Sequence, residues 1–111
     1  MENEPVVDRL VALEGVHTKF AFMRTPDGHG ALELIEFVAP RYEGSRADEP
    51  THAPGLRHIT FAVDDIEAAL ASLEAQGGAR LGDLVQYETS YKLCYVRGPS
   101  GIIVELAEKL V

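Results

Sequence analysis

The run Gly55–Val63, followed at once by Asp64 and Asp65, constrains this chain more than any other stretch. Ile59, Phe61 and Val63 alternate with His58, Thr60 and Ala62, and a period of two belongs to a half-buried strand whose successive side chains leave opposite faces. One face is large and apolar. The other is small or polar and carries an imidazole. Asp64 then offers a carboxylate to the orphan N–H groups of a helix, with Glu67 three residues on, as in a capping box. Ile66, Ala69, Leu70 and Leu73 recur at helical spacing, so the helix lays its apolar stripe on Ile59, Phe61 and Val63 while Glu67, Ala71 and Glu74 face outward. Gly77 and Gly78 suit the left-handed end of that helix. Three short strands are expected next, at about 83–88, 91–97 and 102–107, the last two joined by Gly98-Pro99-Ser100-Gly101. Residues 55–111 therefore read as a βαβββ module.

The upstream half reads as a partial version of the same pattern. Pro5 suits the first turn of a helix capped by Asn3 or Glu4, and Val6, Leu10 and Leu13 follow helical spacing over 5–13 until Gly15 breaks it. Residues 16–24 alternate as a strand, with Val16, Thr18, Phe20 and Phe22 on one face. Thr25-Pro26-Asp27-Gly28-His29-Gly30 is dense turn chemistry, and residues 31–38 return as a second strand. Glu33 there alternates with Ile35 and Phe37, a carboxylate in line with bulky apolar groups. Glu105 repeats the situation between Ile103 and Ala107 in the final strand. The two strand ends, Leu32-Glu33-Leu34 and Val104-Glu105-Leu106, form a weak internal repeat. Between the halves, residues 39–54 hold prolines, glycines and mixed charge with nothing periodic to bury, and read as a linker. The organisation is thus one small domain over 1–111, with a first module at 1–38 and a complete second module at 55–111.

Composition narrows the function classes. A net charge of −8 without any cluster of Lys or Arg argues against nucleic acid and anionic membranes as partners. No apolar run is long enough to span a bilayer, and the acidic start Met-Glu-Asn-Glu-Pro is not that of a signal peptide. Cys94 is the only cysteine, so no internal disulfide forms and a cytoplasmic location is expected. Flanked by Leu93 and Tyr95, Cys94 reads as a buried small apolar residue, and Tyr87, Tyr91 and Tyr95 as residues lining the sheet. His17, His29 and His52 fall on a strand surface, a turn and the linker, where solvated imidazoles are expected.

Taken together, Gly55–Asp65, the two strand ends and the turns preceding them resemble the vicinal oxygen chelate superfamily of glyoxalases, bleomycin-resistance proteins and extradiol dioxygenases. The resemblance covers roughly residues 6–109. It implies an α+β fold of paired βαβββ modules whose sheets wrap around a metal. It places His58 at the histidine ligand of the second module, Glu105 at the glutamate ligand of the last strand and Glu33 at the glutamate ligand of the first module. The family's first strand and helix, with a fourth ligand, have no counterpart here, so the first module reads as N-terminally incomplete. Open sheet edges then call for a partner protomer, and a homodimer is expected. Two carboxylates and an imidazole suit a divalent Zn, Ni, Co, Mn or Fe ion. By the resemblance, the activity is that of a metal-dependent lyase, isomerase or epimerase acting on a small oxygenated substrate. Glu105 or Glu33 doubles there as ligand and general base. Two alternatives remain open: a metal-free binding protein of the bleomycin-resistance kind, and a domain without catalysis.

Overall fold

The computed structural model describes residues 5–45 and 47–111, which fall into two compact units, the first ending at Gly44 and the second beginning at Ser45. The fold is α+β, as expected.

In the first unit, α1 (Pro5–Val11) precedes a hairpin of β1 (His17–Arg24) and β2 (Ala31–Ala39). The expected cap at Asn3 or Glu4 lies outside the described residues. The helix stops before Leu13 because Ala12 turns left-handed at φ 58° and Leu13 N–H donates to the Asp8 carbonyl at 3.1 Å. The Asp8 carboxylate then accepts from the N–H groups of Gly15 and Val16, at 3.0 and 2.9 Å, which aims the chain into β1. The spacing of Val6, Leu10 and Leu13 does not mark a buried stripe, since no residue of α1 is buried. The hairpin turn is closed by its own side chains. Asp27 Oδ1 accepts from Thr25 Oγ1 at 2.6 Å and from His29 N–H at 2.9 Å, while Gly28 supplies the positive φ of 77°. Those hydrogen bonds hold the Asp27 carboxyl below its ordinary pKa, the Thr25 hydroxyl contributing most. Register places Phe22 opposite Glu33, Phe20 opposite Ile35 and Thr18 opposite Phe37. Glu33 therefore shares its face with three phenylalanines and an isoleucine.

The second unit carries β3 (His58–Ala62), α2 (Ile66–Ala75), β4 (Ala79–Arg80), β5 (Val85–Tyr87), β6 (Tyr91–Arg97) and β7 (Ile103–Lys109). The sheet runs β3-β7-β6-β4, with β5 also on β6, and β3 is parallel to β7. A parallel pair at that place follows from the crossover through α2. Ile66, Leu70, Cys94, Val96 and Leu106 form the buried core, with Phe61, Val63, Ala69 and Leu73 packed on it. This is the apolar face that the alternation in 59–63 marks, although Ile59 itself stays 46% exposed.

Local details depart from the sequence reading. The helix is capped by Asp65, not Asp64: Asp65 is extended at φ −140° and its Oδ1 accepts from Ala68 N–H at 3.1 Å. Glu67 does not reach back to the cap but receives Lys92 Nζ at 2.8 Å. The second capping carboxylate comes from another element, since Glu108 of β7 accepts Ile66 N–H at 2.8 Å. At the other end, Gly77 at φ 100° lets Gly78 N–H reach the Leu73 carbonyl at 2.8 Å. The strand expected at 83–88 shrinks to Val85–Tyr87, and the two-residue β4 adds to the expected set. The last strand starts at Ile103 because Ile102 N–H still belongs to the preceding turn, bonding the Pro99 carbonyl at 3.2 Å.

Candidate functional site

The face of the second sheet opposite α2 is assembled by register. Thr60 lies opposite Glu105, and Glu105 lies opposite Tyr95, so β3, β7 and β6 present these side chains on one side. His58, two residues before Thr60, shares that side by alternation. Glu105 Oε1 accepts the Thr60 hydroxyl at 2.7 Å and stands 3.5 Å from His58 Nε2. The Glu105 side chain retains 18% exposure and that of His58 34%, so both are sheltered yet reachable. The His58 and Tyr95 rings pack at 4.8 Å between centroids, which limits how far the imidazole swings. The hydroxyl of Thr60 and the ring of Tyr95 thus orient the carboxylate and the imidazole, as residues behind metal ligands do.

His58 and Glu105 bring together two of the three residues expected to ligate, a pair of donors of the kind a divalent ion takes. Two ligands at about 2.1 Å from a tetrahedral centre are roughly 3.4 Å apart, and His58 Nε2 and Glu105 Oε1 stand 3.5 Å apart. One nitrogen and one oxygen donor suit a borderline metal. Glu33, the other residue expected to ligate, stands on β2 of the first unit and is exposed.

A cavity of about 690 Å³ opens beside Glu105, with Leu93, Cys94, Tyr95, Arg97, Asp83 and Asp48 among its walls. That volume is in the range of small-molecule sites, roughly 300–1,000 Å³. Cys94 is buried, and burial pushes its thiol pKa up, which keeps it protonated and unreactive. It is the small apolar residue its neighbours suggest.

One wall of the cavity comes from a segment that looked featureless in sequence. Arg97 Nη1 donates to the carbonyls of Ala47 and Gly101, each at 3.0 Å, and Nη2 donates to the Glu49 carbonyl at 2.7 Å. The Glu49 carboxylate is ion-paired with Arg57. Residues 47–51 are thereby strapped onto the sheet, and Asp48, Pro50 and Thr51 line the cavity. No short-range signal announces this, because Arg97 lies 50 residues from Ala47.

A second acidic group, Asp65, Glu67 and Glu108, gathers near the start of α2 with ligand atoms within 4.8 Å of one another. Its oxygens are committed to Ala68 N–H, Lys92 Nζ and Ile66 N–H. This is a helix cap with an ion pair. The Lys92 hydrogen bond holds Glu67 below its ordinary pKa and, reciprocally, raises that of Lys92.

Comparison with known proteins adds the context. A family model for the Glyoxalase/Bleomycin resistance protein/Dioxygenase superfamily matches residues 4–108. The Escherichia coli K12 protein YaeR, described only as uncharacterized, is 35% identical over 83 residues, which is 75% of this chain and 61% of YaeR. The crystal structure of a glyoxalase family protein from Bacillus cereus is 37% identical with a TM-score of 0.91, over 98% of this chain and 73% of that one. A glyoxalase family protein from Enterococcus faecalis is 28% identical with a TM-score of 0.51, over 94% of this chain and 83% of that one. Among the described residues, no helix is long and apolar enough to cross a membrane.

Proposed function

The chain belongs to the glyoxalase/bleomycin resistance/dioxygenase superfamily, and from that premise we propose that it is a metal-dependent lyase, isomerase or epimerase acting on a small oxygenated substrate. The observation that supports this reading is the pairing of His58 Nε2 with Glu105 Oε1 at 3.5 Å beside a cavity of substrate size. On this reading His58 and Glu105 would hold the divalent ion, and Glu33, at the corresponding strand position of the first unit, is proposed as a further ligand by the same resemblance. When bound, the ion supplies Lewis acidity, stabilising negative charge that develops on a substrate oxygen. The chain's own groups do the rest. Thr60 Oγ1, donating to Glu105 Oε1, keeps that oxygen aligned and leaves the second carboxylate oxygen free to take a proton from carbon next to a carbonyl. Leu93 and Tyr95 add apolar and aromatic surface to the cavity wall beside Glu105.

Metal analysis of the purified protein, before and after chelator, tests the reading. One divalent ion per site and a lower melting temperature after chelation are expected, with His58→Ala weakening metal binding while the fold persists. Protein that holds no stoichiometric metal and melts identically with and without chelator refutes the enzyme reading. The cavity then favours the second reading, a metal-free ligand-binding protein.

The reading includes a homodimer. Phe20, Phe22, Ile35 and Phe37 share one face of the hairpin and are 37–66% exposed, an apolar surface of the kind that marks an interface. Light scattering is expected to give twice the chain mass, and a monomer at micromolar concentration contradicts it.

A further inference from the structure

The face of the second sheet that bears Glu105 is sorted into rows by register. One row runs Thr60, Glu105 and Tyr95 across β3, β7 and β6, and Leu81 continues it, since its N–H bonds the Tyr95 carbonyl at 2.9 Å. The next row runs Ala62, Ala107, Leu93 and Val85 across β3, β7, β6 and β5. The first row holds the carboxylate that faces His58, and the second holds no polar side chain. Successive same-face residues of a strand are about 7 Å apart, so the apolar row lies one such step from Glu105. Leu81, Val85 and Leu93 all line the cavity. Leu81 and Val85 stay 36% and 48% exposed, because α2 and the core it covers lie on the opposite face, with Cys94, Val96 and Leu106. The charged side chains of the cavity belong to neither position: Arg97 is engaged with the carbonyls of Ala47, Glu49 and Gly101, and Asp48 and Asp83 are exposed. Three apolar side chains gathered in a cavity, uncovered by the fold and one step from the donor pair, are contact surface for a ligand.

We infer that Leu81, Val85 and Leu93 form a subsite for the non-reacting part of the substrate, and that this part is an uncharged hydrocarbon group. The inference rests on the proposed reading that the substrate's oxygens meet an ion held at His58 and Glu105. With carbon–carbon bonds of about 1.5 Å, a chain of about four to six carbon atoms covers the step of about 7 Å from those oxygens to the apolar row. A charged group at the end of such a chain loses water against side chains that offer it no hydrogen bond, whereas a hydrocarbon end gains from the same contact. Val85 and Leu81 are thus specificity-determining residues, selecting the length and polarity of that chain.

The test uses a homologous series. Acetohydroxamate, butanohydroxamate and hexanohydroxamate share a head group of two chelating oxygens and differ in chain length, and 6-aminohexanohydroxamate adds an ammonium group to the longest. Each is titrated by calorimetry into the purified full chain loaded with zinc. Affinity is expected to rise about two- to threefold per methylene, short of the roughly fourfold of full burial because the wall is part exposed. 6-Aminohexanohydroxamate is expected to bind no tighter than butanohydroxamate. Val85→Ser and Leu81→Ser are each expected to flatten the series, and if one does not fold, as read by circular dichroism, the other decides. Without any ion, 1-hexanol is expected to shift the amide NMR signals of Leu81, Val85 and Leu93. A flat series on the wild-type chain, an equal gain from the ammonium-ended probe, or a slope that survives both substitutions overturns this inference alone. If no hydroxamate binds the zinc-treated chain, the metal reading of the proposed function fails. The hexanol shifts then sustain the apolar subsite, and their absence overturns it as well.

Discussion

Two glycines of the second unit make a matched pair. Gly77 and Gly101 both adopt positive φ, 100° and 77°, but Gly77 has nothing within 4 Å of a would-be Cβ, whereas Gly101 faces the backbone of Ala47. Gly77→Ala therefore reports the left-handed conformation alone, about 1–2 kcal/mol for a residue with a Cβ. Gly101→Ala carries the same conformational cost and must also displace the strap. The obstacle is main chain, so no rotamer change relieves it. The strap moves only by loosening the Arg97 bonds to Ala47 and Glu49, 3.0 and 2.7 Å long. Hydrogen bonds to a charged group contribute about 1.5–3 kcal/mol each, and loss of one brings the expected total for Gly101→Ala to about 2.5–5 kcal/mol. Urea denaturation followed by circular dichroism measures both variants, with an unchanged slope as the check that stability alone has moved. Amide exchange in 47–51 is expected to accelerate in Gly101→Ala and not in Gly77→Ala. Equal destabilisation of the two variants, with unchanged exchange in the strap, refutes the claim that residues 47–51 are packed against the turn.

Leu70 is fully buried beneath the sheet, and Leu70→Ala is expected to lose about 2–5 kcal/mol in the same urea assay. Glu67 titrates below its ordinary 4.5 because of its hydrogen bond with Lys92, so its contribution is present above that value and fades as pH falls through the lowered one. Carboxyl NMR should show the Glu67 midpoint return towards 4.5 in Lys92→Met, and an unmoved midpoint contradicts the pairing. For Lys92, whose pKa is raised, the corresponding contribution is complete below the ordinary 10.5 and is lost only as pH rises through the raised value. Cys94 is 2% exposed with its thiol pKa pushed up by burial. Iodoacetamide is expected to modify it at least about tenfold more slowly in native protein than in urea, as protonated buried thiols react.

What the sequence discloses and what it hides divide along the range of the interactions involved. The strand at 58–62 and its helix are legible because their periods, two and 3.6, are written in consecutive residues. The pairing of His58 with Glu105 comes through resemblance, since two strand positions 47 residues apart carry no local sign of adjacency. The cap of α2 escapes because Asp64 and Asp65 are chemically equal candidates, and the choice is settled by Glu108 reaching Ile66 from β7. β4 escapes because two residues hold no period. The strap escapes for the same reason as the site pairing: a proline- and glycine-rich run is ordered by an arginine on a distant strand. Carboxylates in line with apolar residues, Glu33 and Glu105, are the one local signal that points at chemistry, and Glu105 does stand in the only polar pairing that joins β3 and β7 side chains among the hydrogen bonds described.

The same alternation that makes β6 and β7 readable also protects the site. Tyr95 lies between Cys94 and Val96, and Leu106 follows Glu105, so Tyr95 and Glu105 each have a buried core neighbour on the opposite face. A slip of one residue between strands would exchange the two faces. It would turn the Glu105 carboxylate into the space now filled by Ile66, Leu70 and Leu106, and an unpaired charge there costs several kcal/mol. Register is therefore held by the core and inherited by the site. A change confined to the cavity face, such as Asp48→Asn or His58→Ala, leaves the core face untouched, whereas a core change such as Leu70→Ala threatens the spacing of His58 and Glu105. The strap and the cavity face can therefore change without disturbing the 3.5 Å pairing of His58 and Glu105, which is set by residues of the core face.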